Sequence, residues 1–156
     1  MTDMELLEAK PDRTIVTSRI VNSNIEDVFR AWTDPDHLKI WWGPKGFTNT
    51  FEEFDLRPGG KWKFIMHGPE KGNYNNECVF LEIEKPYLIA WDRISQPHFQ
   101  VLAQFEKESE NKTKIVWKMI FRTREEMEKL IRFVPEKNEE NMDRLEEELK
   151  KMNAHG

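Results

Sequence analysis

The sequence predicts an α+β fold: one antiparallel sheet gripped on one face by a long C-terminal helix, with two short helices after the first strand. Three patterns carry that expectation. Between residues 47 and 121 apolar and polar side chains alternate with period two, as in strands with one buried and one wet face. From residue 123 to 152 apolar residues instead recur at spacings of three and four among strong helix formers. Ahead of both, the run RTIVTSRIVN (13–22) is rich in β-branched residues.

In order, that run is the first strand, with Ile15, Thr17 and Arg19 on one parity and Val16, Ser18 and Ile20 on the other. Ser23 or Asn24 supplies an N-cap, and IEDVFRAW places Ile25, Val28, Phe29 and Trp32 on one helical face. Asp34 and Pro35 start a second short helix, whose Leu38, Trp41 and Trp42 turn inward before Gly43 and Pro44 stop it. Six strand segments follow: FTNTFEEFDL, KWKFIMH, ECVFLEIE, YLIAWDRI, HFQVLAQFEKE and KIVWKMIF. The intervening stretches, including Pro58-Gly59-Gly60, the loop GPEKGNYNN and SENKT, are rich in turn formers. Trp62, Phe64 and Met66 oppose Lys61, Lys63 and Ile65; Phe99, Val101, Ala103 and Phe105 oppose His98, Gln100, Leu102 and Gln104; Ile115, Trp117, Met119 and Phe121 oppose Lys114, Val116 and Lys118. One wet and one aromatic face per strand means an antiparallel sheet covered on one side only.

The cover carries Met127, Leu130, Ile131 and Val134, then Met142, Leu145, Leu149 and Met152. Pro135 divides it, because proline inside a helix costs roughly 3 kcal/mol. A short helix ending near Phe133 and a longer one with Pro135 in its first turn are therefore expected. Glu125 with Lys129, Glu128 with Arg132, Glu140 with Arg144, Glu146 with Lys150 and Glu147 with Lys151 stand at i,i+4. At about 0.2–0.5 kcal/mol each, such pairs describe a solvated face.

At 156 residues, 38% of them hydrophobic and 34% charged, the chain is long enough for one domain with a real core. Residues 1–12 read as a flexible N-terminal extension and residues 13–153 as that single domain. The core material is 6 Trp and 10 Phe against 2 Tyr, which excludes disorder. A formal net charge of −5 offers no field for phosphates and argues against nucleic acid. No run of about 18 apolar residues exists to span a membrane, and no apolar leader precedes the first strand. A single cysteine, Cys78, suits a reducing cytoplasm. The common nucleophile, phosphate-loop, dinucleotide and zinc-protease motifs are missing, so composition and motifs name no reaction.

The stretches EDVFRAWTDPDHLKIWWGP (26–44), DLRPGGKWKF (55–64) and NMDRLEEEL (141–149) resemble the family named after the C-terminal domain of the activator of the heat shock protein 90 ATPase, within the START-like (SRPBCC) superfamily. The resemblance implies a helix-grip fold, in which a curved sheet wraps around the C-terminal helix. It also implies a cavity between that helix and the sheet, which START-like proteins commonly use for an apolar or aromatic small molecule; some of them are cyclases or hydrolases. The co-chaperone of the family name has a further N-terminal domain, and with the first strand starting at about residue 13 the arm that engages the chaperone is expected to be missing.

Candidate site residues follow from parity. Trp62, Phe64, Met66, Trp91, Phe99, Trp117 and Met119 face inward, and Met142 and Leu145 face them from the helix; the same stripe is what a packed interior needs. If Trp91 points inward so does Arg93, where a guanidinium would recognise a carboxylate or phenolate unless it pairs with a surface acid. Trp41 and Trp42 read as packing or as guards of a cavity mouth, and the glycines after Pro58 as a turn needing positive φ. His37 reads as exposed, His98 as facing the wet side, His155 as terminal, and His67 as able to reach a cavity rim; this scatter gives no metal ligand set. Asn75 and Asn76 stand at a strand entrance, Asp55 and Asp92 would act together only if they converge, and Cys78 reads as a buried thiol.

The expected function is a binding domain for an apolar or aromatic small molecule, with at most weak catalysis, no cofactor and no metal, as a monomer or homodimer. Two alternatives stand beside it: a protein-interaction module resembling the co-chaperone, which needs an exposed apolar patch, and a cyclase-like or hydrolase-like enzyme, which needs titratable groups converging in the cavity.

Overall fold

Seven strands form one antiparallel sheet in the computed structural model, which describes residues 5–155, the last two as backbone only. The order across the sheet is β1-β7-β6-β5-β4-β3-β2, with β1 at Thr14–Val21, β2 at Thr48–Phe54, β3 at Lys61–His67, β4 at Asn73–Glu84, β5 at Leu88–Arg93, β6 at Phe99–Ser109 and β7 at Lys112–Ile120. Between β1 and β2 two helices, α1 (Ile25–Thr33) and α2 (Pro35–Trp41), carry the chain from one edge of the sheet to the other. From β2 the chain meanders back strand by strand until β7 closes on β1. A single helical turn, α3 (Arg124–Glu128), leads to α4 (Val134–His155). This is the α+β helix-grip arrangement expected from the sequence.

Local chemistry fixes the helix starts. The Asn24 side chain accepts from the Asp27 N–H, the Asp34 side chain accepts from the Asp36 N–H, and Thr123 with Glu126 forms a reciprocal capping box. Pro135 occupies the first turn of α4, where its missing N–H costs nothing. α3 ends at Glu128, earlier than the expected Phe133, and residues 129–133 are turns.

The inward residues of the sheet and helices build one aromatic core. Trp62 stacks on Phe64 at 4.3 Å between ring centroids and meets Trp91 edge-on at 5.1 Å. Trp32 meets Trp41 and Trp117 edge-on at 4.9 and 5.8 Å. Met142, Leu145, Leu149 and Met152 close this core from α4.

Two expectations about the sheet need correction. The stretch NYNN belongs to β4, which begins at Asn73 rather than Glu77: its backbone continues the ladder with β3, pairing Met66 with Tyr74 and Phe64 with Asn76. Polar side chains hid a strand that the hairpin at Gly68–Gly72 imposes through its backbone. The sheet is also not wet along the whole outer face. Residues 5–9 lie across it, the Leu7 N–H donating to Gln100 Oε1 at 2.6 Å and Gln100 Nε2 donating to the Glu5 carbonyl at 2.9 Å. Leu6, Leu7 and Ala9 thereby bury Ala90, Leu102 and Ile120, so Gln100 and Leu102 are inside. The expected extension's residues 1–4 lie outside the described residues.

The charged face of α4 is solvated, but none of the five i,i+4 pairs forms among the described residues. Arg19 of β1 instead donates to Glu139 and Asp143 at 2.6 and 2.7 Å, with Glu146 at 3.7 Å. Burial alone would lower the Arg19 pKa, but these acids hold it above its ordinary value. Among the described residues no helix is long and apolar enough to cross a membrane.

Candidate functional site

A cavity of about 350 Å³ opens at one end of the sheet, within the range of small-molecule sites. Its floor is the start of β6 and the end of β7: Phe99, Val101, Trp117 and Met119. Met66, Tyr74, Asn76 and Arg93 stand along one side, where β3 ends, β4 begins and β5 ends. Leu130, Val134, Asn138 and Asn141 form the opposite wall, from the turn before α4 and its first two turns. Trp42, Gly43, Pro44 and Phe47, the loop after α2, make the lip, and Pro97 completes the rim.

The lip is held by α4. Arg144 donates through Nη1 to the carbonyls of Gly43 (2.8 Å), Pro44 (3.0 Å) and Trp42 (3.3 Å), and through Nη2 to those of Ile40 (2.6 Å) and Phe47 (2.8 Å). Burial lowers its pKa, and its partners are backbone carbonyls rather than Glu140, the partner expected from the i,i+4 spacing. Glu140 instead accepts from the Lys45 N–H at 3.2 Å. Asn141 donates to the Trp41 carbonyl at 2.7 Å, and Asn49 to that of Trp42, also at 2.7 Å. Gly43 takes φ +102°, a backbone conformation that residues with a side chain rarely adopt, so the backbone here requires glycine.

Polar groups on the wall are few. Arg93 donates through Nε to the Pro97 carbonyl (3.0 Å), through Nη2 to the Gln96 carbonyl (2.9 Å) and through Nη1 to Asn76 Oδ1. Its guanidinium lies 5.6 Å from the centre of the Phe99 ring, and burial lowers its pKa. Asn76 in turn donates to the Tyr74 carbonyl at 2.8 Å. Asn138 donates to Thr17 Oγ1 at 3.2 Å and reaches Met119 Sδ at 3.4 Å. Arg93 and Tyr74 are the ionisable side chains on this wall.

Of the ten residues picked by parity, Met66, Arg93, Phe99, Trp117 and Met119 line the cavity. Trp62, Phe64, Trp91, Met142 and Leu145 do not; they are buried in the adjoining core, where neighbouring rings fill the space beside them. Arg93 finds backbone carbonyls and Asn76 where pairing with a surface acid was the alternative. Trp41 is packing, its Nε1 donating to the Ala31 carbonyl at 2.8 Å, while Trp42 both packs and lines the lip. Tyr74, Asn138 and Asn141 were not picked. Tyr74 stands in a segment without strand alternation, and Asn138 and Asn141 are polar residues among the apolar positions of the helix.

The remaining candidates lie elsewhere. His67 is bonded to Thr50 and Asn73 outside the cavity wall. His37 is not free on its helix: its Nδ1 stands 2.7 Å from the buried Glu148 carboxylate. His98 stands 2.9 Å from Asp92, a buried carboxylate also 3.7 Å from Arg122. Asp55 pairs with Arg57 and Asp92 with His98, so the two acids share no partner. The His155 side chain lies outside the described residues. Burial pushes the Cys78 thiol up to about 12. Gly59 has φ +85°, as expected of a turn; Gly60 is needed for another reason, since a Cβ there would collide with the Asp55 carbonyl oxygen. Among the described residues, no group of three or more His, Cys, Asp or Glu side chains could hold a metal ion.

Residues 22–150 match the family described as activator of Hsp90 ATPase homolog 1-like protein. No curated protein matches the sequence. The fold is shared with a protein from Nitrosomonas europaea, 23% identical, with a TM-score of 0.85 over 93% of this chain and 99% of that one. It is shared as well with a protein from Arthrobacter aurescens, 22% identical, TM-score 0.83, over 90% of this chain and 87% of that one. The AHSA1 protein from Silicibacter pomeroyi, 17% identical, superposes with a TM-score of 0.71 over 88% of this chain and 97% of that one. At these identities the likeness shows the fold, whereas the family match covers most of the chain. The chain belongs to the family of activator of Hsp90 ATPase homolog 1-like proteins.

Proposed function

We propose that this protein binds an apolar or aromatic small molecule in the cavity between the sheet, the lip and α4. The observation that carries the reading is the cavity itself: about 350 Å³ left open in a domain whose other aromatic residues pack closely. Trp42, Phe99 and Trp117 offer flat apolar surface, and Met66 and Met119 are flexible enough to adapt to a guest. Binding rather than turnover is favoured because the wall's ionisable groups, Arg93 and Tyr74, include no carboxylate or histidine to act as a base near neutral pH. A cytoplasmic setting, where thiols stay reduced, suits the free Cys78.

Calorimetry and thermal melting with uncharged 2-naphthamide test this. Saturation at a hundredfold excess over Kd should stabilise the native protein by about 2.7 kcal/mol. Val134→Trp, which places an indole in the cavity from its α4 wall, should remove the effect. Equal responses from both proteins, or no response from the native protein either to 2-naphthamide or to its carboxylate counterpart 2-naphthoate, would sink the reading.

A further inference from the structure

We infer that the ligand carries one carboxylate or equivalent monoanionic oxyanion, seated on Arg93 at the edge of the cavity, with its apolar body against Trp117 and Phe99. The inference rests on the binding function proposed above and adds the chemical class of the ligand.

The charge inventory points that way. Among the described residues Arg93 is the one charged residue on the wall, and no aspartate or glutamate lines it. Arg19 and Arg122 have acids beside them, Glu139 and Asp143 for the first and Asp92 for the second, whereas Arg144 is held by backbone carbonyls of the lip and does not line the cavity. Arg93 has no acid within ion-pair distance among the described residues; its partners are two backbone carbonyls and the Asn76 amide oxygen, all neutral. A desolvated guanidinium without a counter-charge is unfavourable, and a purely apolar guest would deepen that by excluding the water that now reaches it.

Donor geometry narrows the choice. A guanidinium has five N–H donors, and Arg93 commits one from each nitrogen, leaving one on each terminal nitrogen. Two donors on adjacent terminal nitrogens match the two oxygens of a carboxylate end-on. A single positive charge balances a monoanion, whereas a phosphate dianion would keep an uncompensated charge in an apolar site. Asn76 and the Phe99 ring fix the guanidinium plane, so the fork is set before the ligand arrives.

The test compares 2-naphthoate with its uncharged isostere 2-naphthamide by calorimetry at neutral pH, on the native protein, Arg93→Gln and Arg93→Lys, with folding checked by circular dichroism. The native protein should bind the carboxylate at least about tenfold more tightly than the amide, as a charge-assisted hydrogen-bonded pair gives. Arg93→Gln should lose that preference, binding the two probes with equal affinity, and Arg93→Lys should keep only part of it. Equal affinity for the two probes in the native protein, or an unchanged preference in Arg93→Gln, overturns the anion assignment and leaves cavity binding standing. Failure of both probes to bind overturns both. Should Arg93→Gln not fold, the native preference and its weakening with added salt decide the matter.

Discussion

Replacing Arg144 by alanine should loosen the lip of the cavity while leaving the core of α4 in place. The side chain donates to five carbonyls, of Ile40, Trp42, Gly43, Pro44 and Phe47. Two keep another donor after the change: the Trp42 carbonyl also accepts from Asn49, and that of Pro44 from the Phe47 N–H. Three are left without a partner, those of Ile40, Gly43 and Phe47. At about 1 kcal/mol or a little more for each, reduced where water can reach, the expected loss is roughly 2–4 kcal/mol. For a domain of this size that lowers Tm by roughly 5–15 °C. Arg144→Lys keeps the charge but not the planar fork and should recover less than half of the loss. Urea titration supplies the free energies, and hydrogen exchange of the amides of residues 43–47 locates them. A loss within about 0.5 kcal/mol, the range of an ordinary surface change, or full rescue by lysine, would refute the reasoning that a directed fork holds the loop.

Leu145→Ala, at a fully buried position on α4, should remove about 2–5 kcal/mol of stability, whereas exposed Glu147→Ala should stay within about 0.5; equal effects in denaturant titrations would mean that α4 does not seat as described. Cys78 should resist an aromatic disulfide reagent until the protein unfolds. Because its thiol is pushed up to about 12 by burial, the unfolded chain gives up that proton first as pH rises. The native protein should therefore lose stability relative to Cys78→Ala above pH 9, by up to about 1.4 kcal/mol per pH unit, and a flat difference would contradict the burial of this group.

Element order and the starts of the first two helices were legible because alternation, β-branched runs and Asn24 and Asp34 report local backbone preference. The start of β4 was not, because Asn73 to Asn76 enter the ladder through backbone groups that any residue supplies. Parity told which side chains face inward, but not whether a neighbour fills the space in front of them. Hence Trp117 and Met119 border the cavity, while Trp62 and Trp91, of equal parity, press against other rings. Arg144 shows the same limit. Its spacing from Glu140 suggested a helix-surface pair worth a few tenths of a kcal/mol, and only the position of the loop after α2 decides that it takes backbone carbonyls instead. Gln100 and Leu102 looked wet because the segment covering them, residues 5–9, lies some ninety positions away.

The most direct test is an NMR titration with 2-naphthoate that follows the 6 tryptophan indole N–H signals, assigned by Trp→Phe variants. The largest shifts should fall on Trp117 and Trp42, together with the side-chain amides of Asn76 and Asn138, which share the cavity wall. Trp41, bonded to the Ala31 carbonyl in the core, should stay still. Shifts confined to surface amides, with Trp117 and Trp42 unmoved at saturation, would contradict binding in this cavity.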